Sequence, residues 1–292
     1  MTASSSSASG VVCMVAAVIC FSIMAVFVKL TGPTVPDYEK ILIRSAAVIP
    51  VLLVMLRRRG LSPWGNRPDL LLARGSLGFL GMWAYFVSIT KLPLGNAVLL
   101  THASPIFSAL FAARFLHERA GRGVWVAGAV CLLGVALVAR PTDHAPLLAS
   151  SIALLSAVGN GATYTVVRAS TRHDHPLVVV LALTAVCAPV TAVMCLLWGW
   201  VWPTAEQWWL LAGMTLASVV AQVLMTVGMS RLTTSRATNI FFLGPLLAIA
   251  WGQLLGDPAL QPLDLLGAAL VVGGVLGLAS ARGRGPTLGR VA

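Results

Sequence analysis

Acidic residues are scarce in this sequence, which has nine among 292 positions. All nine, Asp37, Glu39, Glu118, Asp174 and Asp257 among them, fall between apolar runs or at their ends. No buried carboxylate is therefore expected to carry a proton or a sodium ion. Cysteine is also sparse: Cys13, Cys20, Cys131, Cys187 and Cys195 lie within apolar runs and form no C-x-x-C pair, which argues against a disulfide frame or a zinc site. No H-E-x-x-H, G-x-S-x-G or G-x-x-x-x-G-K-[ST] segment occurs, so metalloprotease, serine-hydrolase and ATP-driven chemistry has no anchor. The chain is not expected to be an enzyme, and neither a metal nor a cofactor is expected. Residues 1–9 contain no Lys or Arg, a poor start for a signal peptide, so the first apolar run is expected to be retained.

What is present is apolar. Hydrophobic residues make up 58% of the chain and charged residues 10%, with a mean hydropathy of +0.89, against about 25% charged in soluble domains. The chain is read as an all-α integral membrane protein with the lipid bilayer as its solvent. The net charge of +11 comes from arginines in short segments between apolar runs, so it reports topology and not nucleic-acid contact. Ten runs approach the roughly 20 residues needed to cross the hydrocarbon core: 11–31, 38–57, 72–91, 94–116, 122–140, 147–169, 176–199, 207–230, 233–255 and 262–281. Thirteen Lys and Arg fall on the side of the N-terminus, led by Arg57, Arg58, Arg59 and Arg67, and four on the other. That bias puts both termini in the cytoplasm and the protein in the cytoplasmic (inner) membrane.

The chain repeats itself. At an offset of 140, Lys91 falls on Arg231, Leu92 on Leu232, Ala97 on Ala237 and Pro105 on Pro245; at 139, Lys29 falls on Arg168, Pro50 on Pro189, Glu118 on Asp257 and Gly128 on Gly267. The expected organisation is a disordered N-terminal tail over 1–10, a five-span repeat over 11–141, a second over 147–281 and a basic tail over 282–292. Because five is odd, the second copy enters the membrane from the opposite side. Ten transmembrane helices then form two inverted-topology five-helix repeats, an architecture used for alternating access, with the substrate held between the halves. Pro105 and Pro245, deep in matching spans, are the expected hinges, since each removes a helical hydrogen bond. Gly75, Gly78 and Gly81 in the third span, and Gly213, Ala217 and Ala221 in the eighth, predict close helix approach. The fifth span and the tenth, with Gly273 and Gly277, are assigned to scaffolding or to a homodimer contact.

Polar side chains inside spans are costly and so mark candidate sites. His102 leads, flanked by Thr101 and Ser104; its repeat counterpart is Phe242, so the halves differ at this depth. If transport is proton-coupled, His102 is the candidate group, because an unperturbed imidazole titrates near neutrality. Asn160 and Tyr164 lie four residues apart, as do Gln222 and Thr226, each pair on one helical face. Asn239, Trp83 and Tyr85 complete a set that would recognise a small polar, partly aromatic molecule by hydrogen bonds and stacking. Arg44 is read either as an interface anchor that snorkels or as a residue that attracts an anionic substrate.

The segments FSIMAVFVKL, LIRSAAV, LPLGNAVLLTHASPIFSALFAARFLHER, GAVCLLGVALVARP and FFLGPLLAIAWGQLLGD resemble the EamA branch of the drug/metabolite transporter superfamily. The resemblance implies a central cavity lined by the first four helices of each half, with the fifth outside. The sequence departs from that pattern at Phe21-Ser22 and at Gly256-Asp257. Members export amino acids or drugs and import cofactors. The expected function is a secondary transporter moving a small polar organic metabolite or drug, with export favoured over import. The alternative is a lipid-linked-sugar flippase subunit, which predicts a lateral opening, or a non-transporting membrane scaffold, which predicts a sealed core.

Overall fold

A computed structural model describes residues 2–115, 122–138, 146–231, 240, 243–258 and 261–282. These contain eleven helical elements and no strand: α1 (Thr2–Thr31), α2 (Asp37–Arg58), α3 (Pro68–Lys91), α4 (Leu94–Thr101), α5 (Ser104–Phe115), α6 (Arg122–Val138), α7 (Leu147–Ser170), α8 (Pro176–Trp198), α9 (Ala205–Arg231), α10 (Leu243–Leu254) and α11 (Pro262–Arg282). α4 and α5 are two halves of one span, so ten spans are represented. Six are long and apolar enough to cross a membrane by length and composition, and α6, α10 and α11 carry shorter apolar stretches.

Proline sets several helix starts. Pro68 and Pro176 occupy the first turns of α3 and α8, where their missing N–H costs nothing and their fixed φ favours the helix. At the start of α8 the His175 ring also accepts the Leu177 N–H at 3.2 Å. Gly32, with φ of 70°, turns the chain out of α1 in a conformation that side chains rarely adopt. One boundary differs from expectation: α1 begins at Thr2, so the helix covers residues read as a disordered tail. Ala and Ser extend a helix at little cost once the nucleus behind them is formed.

Every span has its most extensive partner in the other repeat. α1 lies against α9 and α3 against α7, while α2 pairs with α8, α4 with α10 and α6 with α11. In repeat positions this is first with third, third with first, second with second and fifth with fifth, while the fourth span is divided, its α4 half against the fourth span of the other repeat and its α5 half against α7, the first. Such reciprocity is the pattern of a pseudo-two-fold axis in the membrane plane, and it gives the two inverted five-helix repeats one shared interior.

Small residues make the close contacts. A Cβ on Gly75 would lie 2.2 Å from Val186 of α8, and one on Gly81 2.6 Å from Asn160 Oδ1 of α7. Between α6 and α11 the tight positions are Gly134 against Gly267 and Gly274 against Cys131. Nothing lies within 4 Å of a Cβ on Gly273, whereas one on Gly277 would lie 3.4 Å from Ala127 Cβ, so Gly267 and Gly274, two turns apart, form the packed stripe of the tenth span with Gly277 beside them and Gly273 outside it. All five cysteines are free. At the end of the bundle opposite the N-terminus, Trp198, Trp202 and Trp209 are exposed, as interfacial aromatics are.

Candidate functional site

The fourth span is interrupted beside its histidine. Pro105 cannot donate to the Thr101 carbonyl, and the chain answers with a break. α4 ends at Thr101, His102 N–H bonds to Val98 and Leu99 carbonyls, Ala103 N–H bonds to Leu100 O at 3.2 Å, and α5 starts at Ser104. The imidazole turns back, with Nδ1 2.8 Å from Val98 O. Its Nε2 edge lies against the other repeat, 3.0 Å from where a Cβ on Gly244 would be. Gly244 precedes the buried Pro245 in α10. The two proline-bearing segments thus meet at His102. Thr101 is buried and its hydroxyl donates to Ala97 O at 2.9 Å. Only the backbone of Pro105 is among the described features.

A second group gathers where α3 crosses α7. Ser156 Oγ donates to Gly81 O at 2.8 Å, Asn160 Nδ2 reaches Ser156 Oγ at 3.3 Å, and Gly159 faces the Gly81 backbone. Asn160 is therefore clamped at the crossing. One turn on, Tyr164 is within hydrogen-bonding reach of Ser104 at the break and within electrostatic reach of Arg74 and Tyr85. Tyr164 is 51% exposed, although it continues the inward stripe of Ala153 and Ala157, both fully buried. The outward stripe of the same helix runs through Leu148, Ser151 and Leu155. The exposure of Tyr164 therefore opens toward the interior of the bundle.

Trp83 does not join this group. It is 37% exposed and extends the stripe of Leu72, Ser76 and Leu80 on the outer side of α3. Residues two apart differ by about 200° around a helix, so Tyr85 can face inward only if Trp83 faces out.

Arg44 is not a snorkelling anchor. It is 3% exposed, its Nε donates to Ser218 Oγ of α9 at 2.5 Å, and its Nη1 lies 3.0 Å from Met82 Sδ of α3. Gln222, buried one turn beyond Ser218, shares that face of α9. Thr226 lies in α9 with its side chain outside the described features, and Asn239 lies outside the described residues.

The end opposite the N-terminus is fastened by charge. Lys29 Nζ bonds the Leu92 carbonyl and lies 3.7 Å from Asp257 Oδ1, while Asp257 Oδ2 accepts the Leu94 N–H at 2.6 Å. Lys40 is completely buried, donating to Gly32 O at 2.8 Å and Asp37 Oδ1 at 2.9 Å. Glu39 corrects one expectation. It sits at a span end yet is fully buried, with Oε1 accepting the Val201 N–H at 2.7 Å and Oε2 without a hydrogen-bond partner among the described residues.

Sequence reasoning passed over Arg74 and Ser218, and noted Ser104 only as a neighbour of His102. The usable signal was an arginine at the start of the third apolar run with a glycine four residues on, where its side chain could lie. That is the observed arrangement, since a Cβ on Gly78 would fall 2.2 Å from Arg74 Nη1.

Two inverted five-helix halves, interlocked about a polar interior, match one family twice over: the EamA-like transporter family, at residues 8–140 and 147–280. The chain belongs to that family, within the drug/metabolite transporter superfamily. It is 31% identical over 268 residues to the pseudopaline exporter CntI of Pseudomonas aeruginosa, covering 90% of this chain and 93% of that one. The riboflavin transporter of Rhizobium johnstonii is 30% identical over 183 residues, covering 60% and 58%. The threonine/homoserine exporter RhtA of Escherichia coli is 28% identical over 223 residues, covering 73% and 71%. A solved crystal structure superposes with a TM-score of 0.65 at 21% identity over 94% of this chain and 98% of that one, a likeness of fold. This EamA-like protein is a multi-pass membrane transporter.

Proposed function

We propose that the protein is a secondary exporter that moves a small polar organic metabolite across the cytoplasmic membrane by alternating access, with both termini in the cytoplasm. The observation that carries this reading is the half-exposed Tyr164 on an otherwise buried helix face, level with the break at Thr101–Ser104. It supports an opening that reaches the interface between the repeats from the side of the N-terminus, which is where an exporter collects its cargo. The closed network of Lys29, Leu92, Leu94 and Asp257 at the other end supports the same direction. His102, Tyr85, Asn160, Tyr164, Gln222 and Arg44 are the proposed contacts, and Pro105 and Pro245 the proposed hinges. Relatives named as exporters support the direction as well.

Comparative metabolite profiling of cells with and without the protein tests this. One or more polar metabolites accumulate inside cells that lack it and outside cells that express it, and the same compounds enter inside-out vesicles. Identical intracellular and extracellular profiles would defeat the proposal.

A further inference from the structure

Two arginines lie in the interior of the first repeat with no acid beside them among the described residues. Arg44 enters α2 seven residues from Asp37, and Arg74 enters α3 six residues from Pro68 at the opposite end, about 10 Å and about 9 Å inside their helices. Their side chains run toward each other. That of Arg44 reaches Ser218, near the middle of α9, and Met82 of α3. That of Arg74 lies over Gly78, one turn below Met82 on the same face, which leaves roughly 6 Å of axial separation. Both are within electrostatic reach of Cys187, halfway along α8, and Arg74 is also within reach of Arg44 itself and of Tyr164.

Arg74 Nε and Nη1 are buried and meet no hydrogen-bond partner among the described residues. Among the described residues the ion pairs are Lys29–Asp257, Lys40–Asp37 and Arg67–Asp69, so neither arginine is neutralised. The repeat does not explain them structurally. The positions matching Arg44 and Arg74 in the second half are Leu183 and Met214, both buried, and the fold accommodates apolar side chains there. Holding two like charges inside a bundle without an acid to neutralise them is costly and persists where a ligand completes the site.

We infer that Arg44 and Arg74 form an anion subsite, and that the transported metabolite is an organic acid or zwitterion whose carboxylate seats between them. This rests on the transport reading and names its substrate class. A planar guanidinium suits a carboxylate, to which its N–H groups donate charge-assisted bonds. Tyr164, within electrostatic reach of Arg74 and hydrogen-bonding reach of Ser104, supplies a neutral donor, and Tyr85 and Tyr164 offer aromatic surface to the rest of the molecule. The asymmetry places the charged end of the cargo on the first repeat and its uncharged part toward the second.

The test measures binding rather than transport. Purified full-length protein in phosphatidylcholine nanodiscs is unfolded thermally in the presence of succinate, of its neutral isostere succinamide, or of inorganic phosphate, at constant ionic strength. Succinate raises Tm in a saturable manner and succinamide does not. Arg44→Gln and Arg74→Gln each weaken the succinate response on the order of tenfold, and Arg74→Lys keeps part of it. Arg74→Gln also raises the Tm of the ligand-free protein, because it removes a charge held in the bundle without an acid beside it, whereas a structural arginine would lower it.

Equal responses to succinate and succinamide, or an unchanged succinate response in Arg74→Gln, overturn the inference. A phosphate response equal to or above that of succinate overturns the carboxylate assignment. Phosphatidylglycerol discs that abolish the succinate response reassign the site to a lipid headgroup and also overturn it. Intact succinate binding with no export defeats the transport reading alone, while export of neutral metabolites without a succinate response defeats this one.

Discussion

Lys29 and Asp257 form an ion pair at 3.7 Å that ties the last turn of the first span to the end of the ninth. Asp257 also caps α4 through Leu94 N–H, so one carboxylate holds three segments from both repeats. An isolated surface pair would contribute little. Here the carboxylate is also the acceptor of a backbone donor at a helix start, and losing such an acceptor costs about 1–3 kcal/mol. Asp257→Ala is expected to lower stability by about 1–2 kcal/mol and Asp257→Asn by less, since an amide oxygen can still accept. Chemical or thermal unfolding in lipid discs checks this, and equal losses for the two variants would contradict it.

The contact of α3 with α8 leaves no room at Gly75, where a Cβ would sit 2.2 Å from Val186 and 2.8 Å from the Ala182 carbonyl. Gly75→Leu is expected to destabilise by about 1–3 kcal/mol or more, the usual cost of overpacking. Gly273→Leu, with nothing within 4 Å, is expected to be near neutral for the folded monomer. Expression level and unfolding midpoint of the two variants separate these outcomes, and a Gly75→Leu protein as stable as the parent refutes the contact.

Trp83 and Tyr85 supply a paired control. Trp83 faces outward with Leu72 and Leu80, so Trp83→Leu is expected to leave export within twofold of the parent, a surface change within about 0.5 kcal/mol. Tyr85→Ala removes interior aromatic surface and is expected to lower export several-fold, roughly as aromatic truncations of 1 kcal/mol or more do. Export assays on matched membrane amounts decide it; the reverse ordering would place Trp83 in the pathway.

His102 and Gly244 touch across the two repeats. Gly244→Ala puts a methyl 3.0 Å from Nε2 and is expected to slow export by a factor of about 3–10, equivalent to about 1 kcal/mol. Combining it with His102→Ala, which removes the clash, should restore part of the rate. A non-additive pair identifies direct coupling, whereas strictly additive losses would show that the two positions act separately.

Sidedness is checked by single cysteines in a background lacking the five natural ones. Trp202→Cys and Trp64→Cys both occupy exposed positions at opposite ends of the bundle. A membrane-impermeant maleimide applied to intact cells is expected to label position 202 and not position 64. Labelling of position 64 alone reverses the orientation.

The break at Thr101–Ser104 was legible because Pro105 and Pro245 recur at matched places and a proline must interrupt the helical ladder. The inward turn of Tyr164 was not, because its exposure belongs to an interior formed by α3, α5 and α7 together. Arg44 gave a misleading local signal: a cation one to two turns from a span end snorkels by default, and only its distances to Ser218 and Met82 reveal an inward course. Glu39 was likewise placed correctly along the chain, but its burial is created by Val201 and the segment around it, 162 residues away.

By itself the sequence determined the membrane class, the spans, the duplication and, because five is odd, the inversion of the second half. These follow from composition, from periodicity and from the length of apolar chain a bilayer requires. Tertiary structure alone decided which face of each helix turns inward, that Trp83 is outside while Tyr85 is inside, and that Arg44 and Arg74 converge. In lipid both faces of a helix are apolar, so hydrophobic periodicity carries little information about rotation. The rotation is set by close packing at Gly75, Gly78 and Gly81 and by hydrogen bonds between helices, which exist only once the two repeats have met.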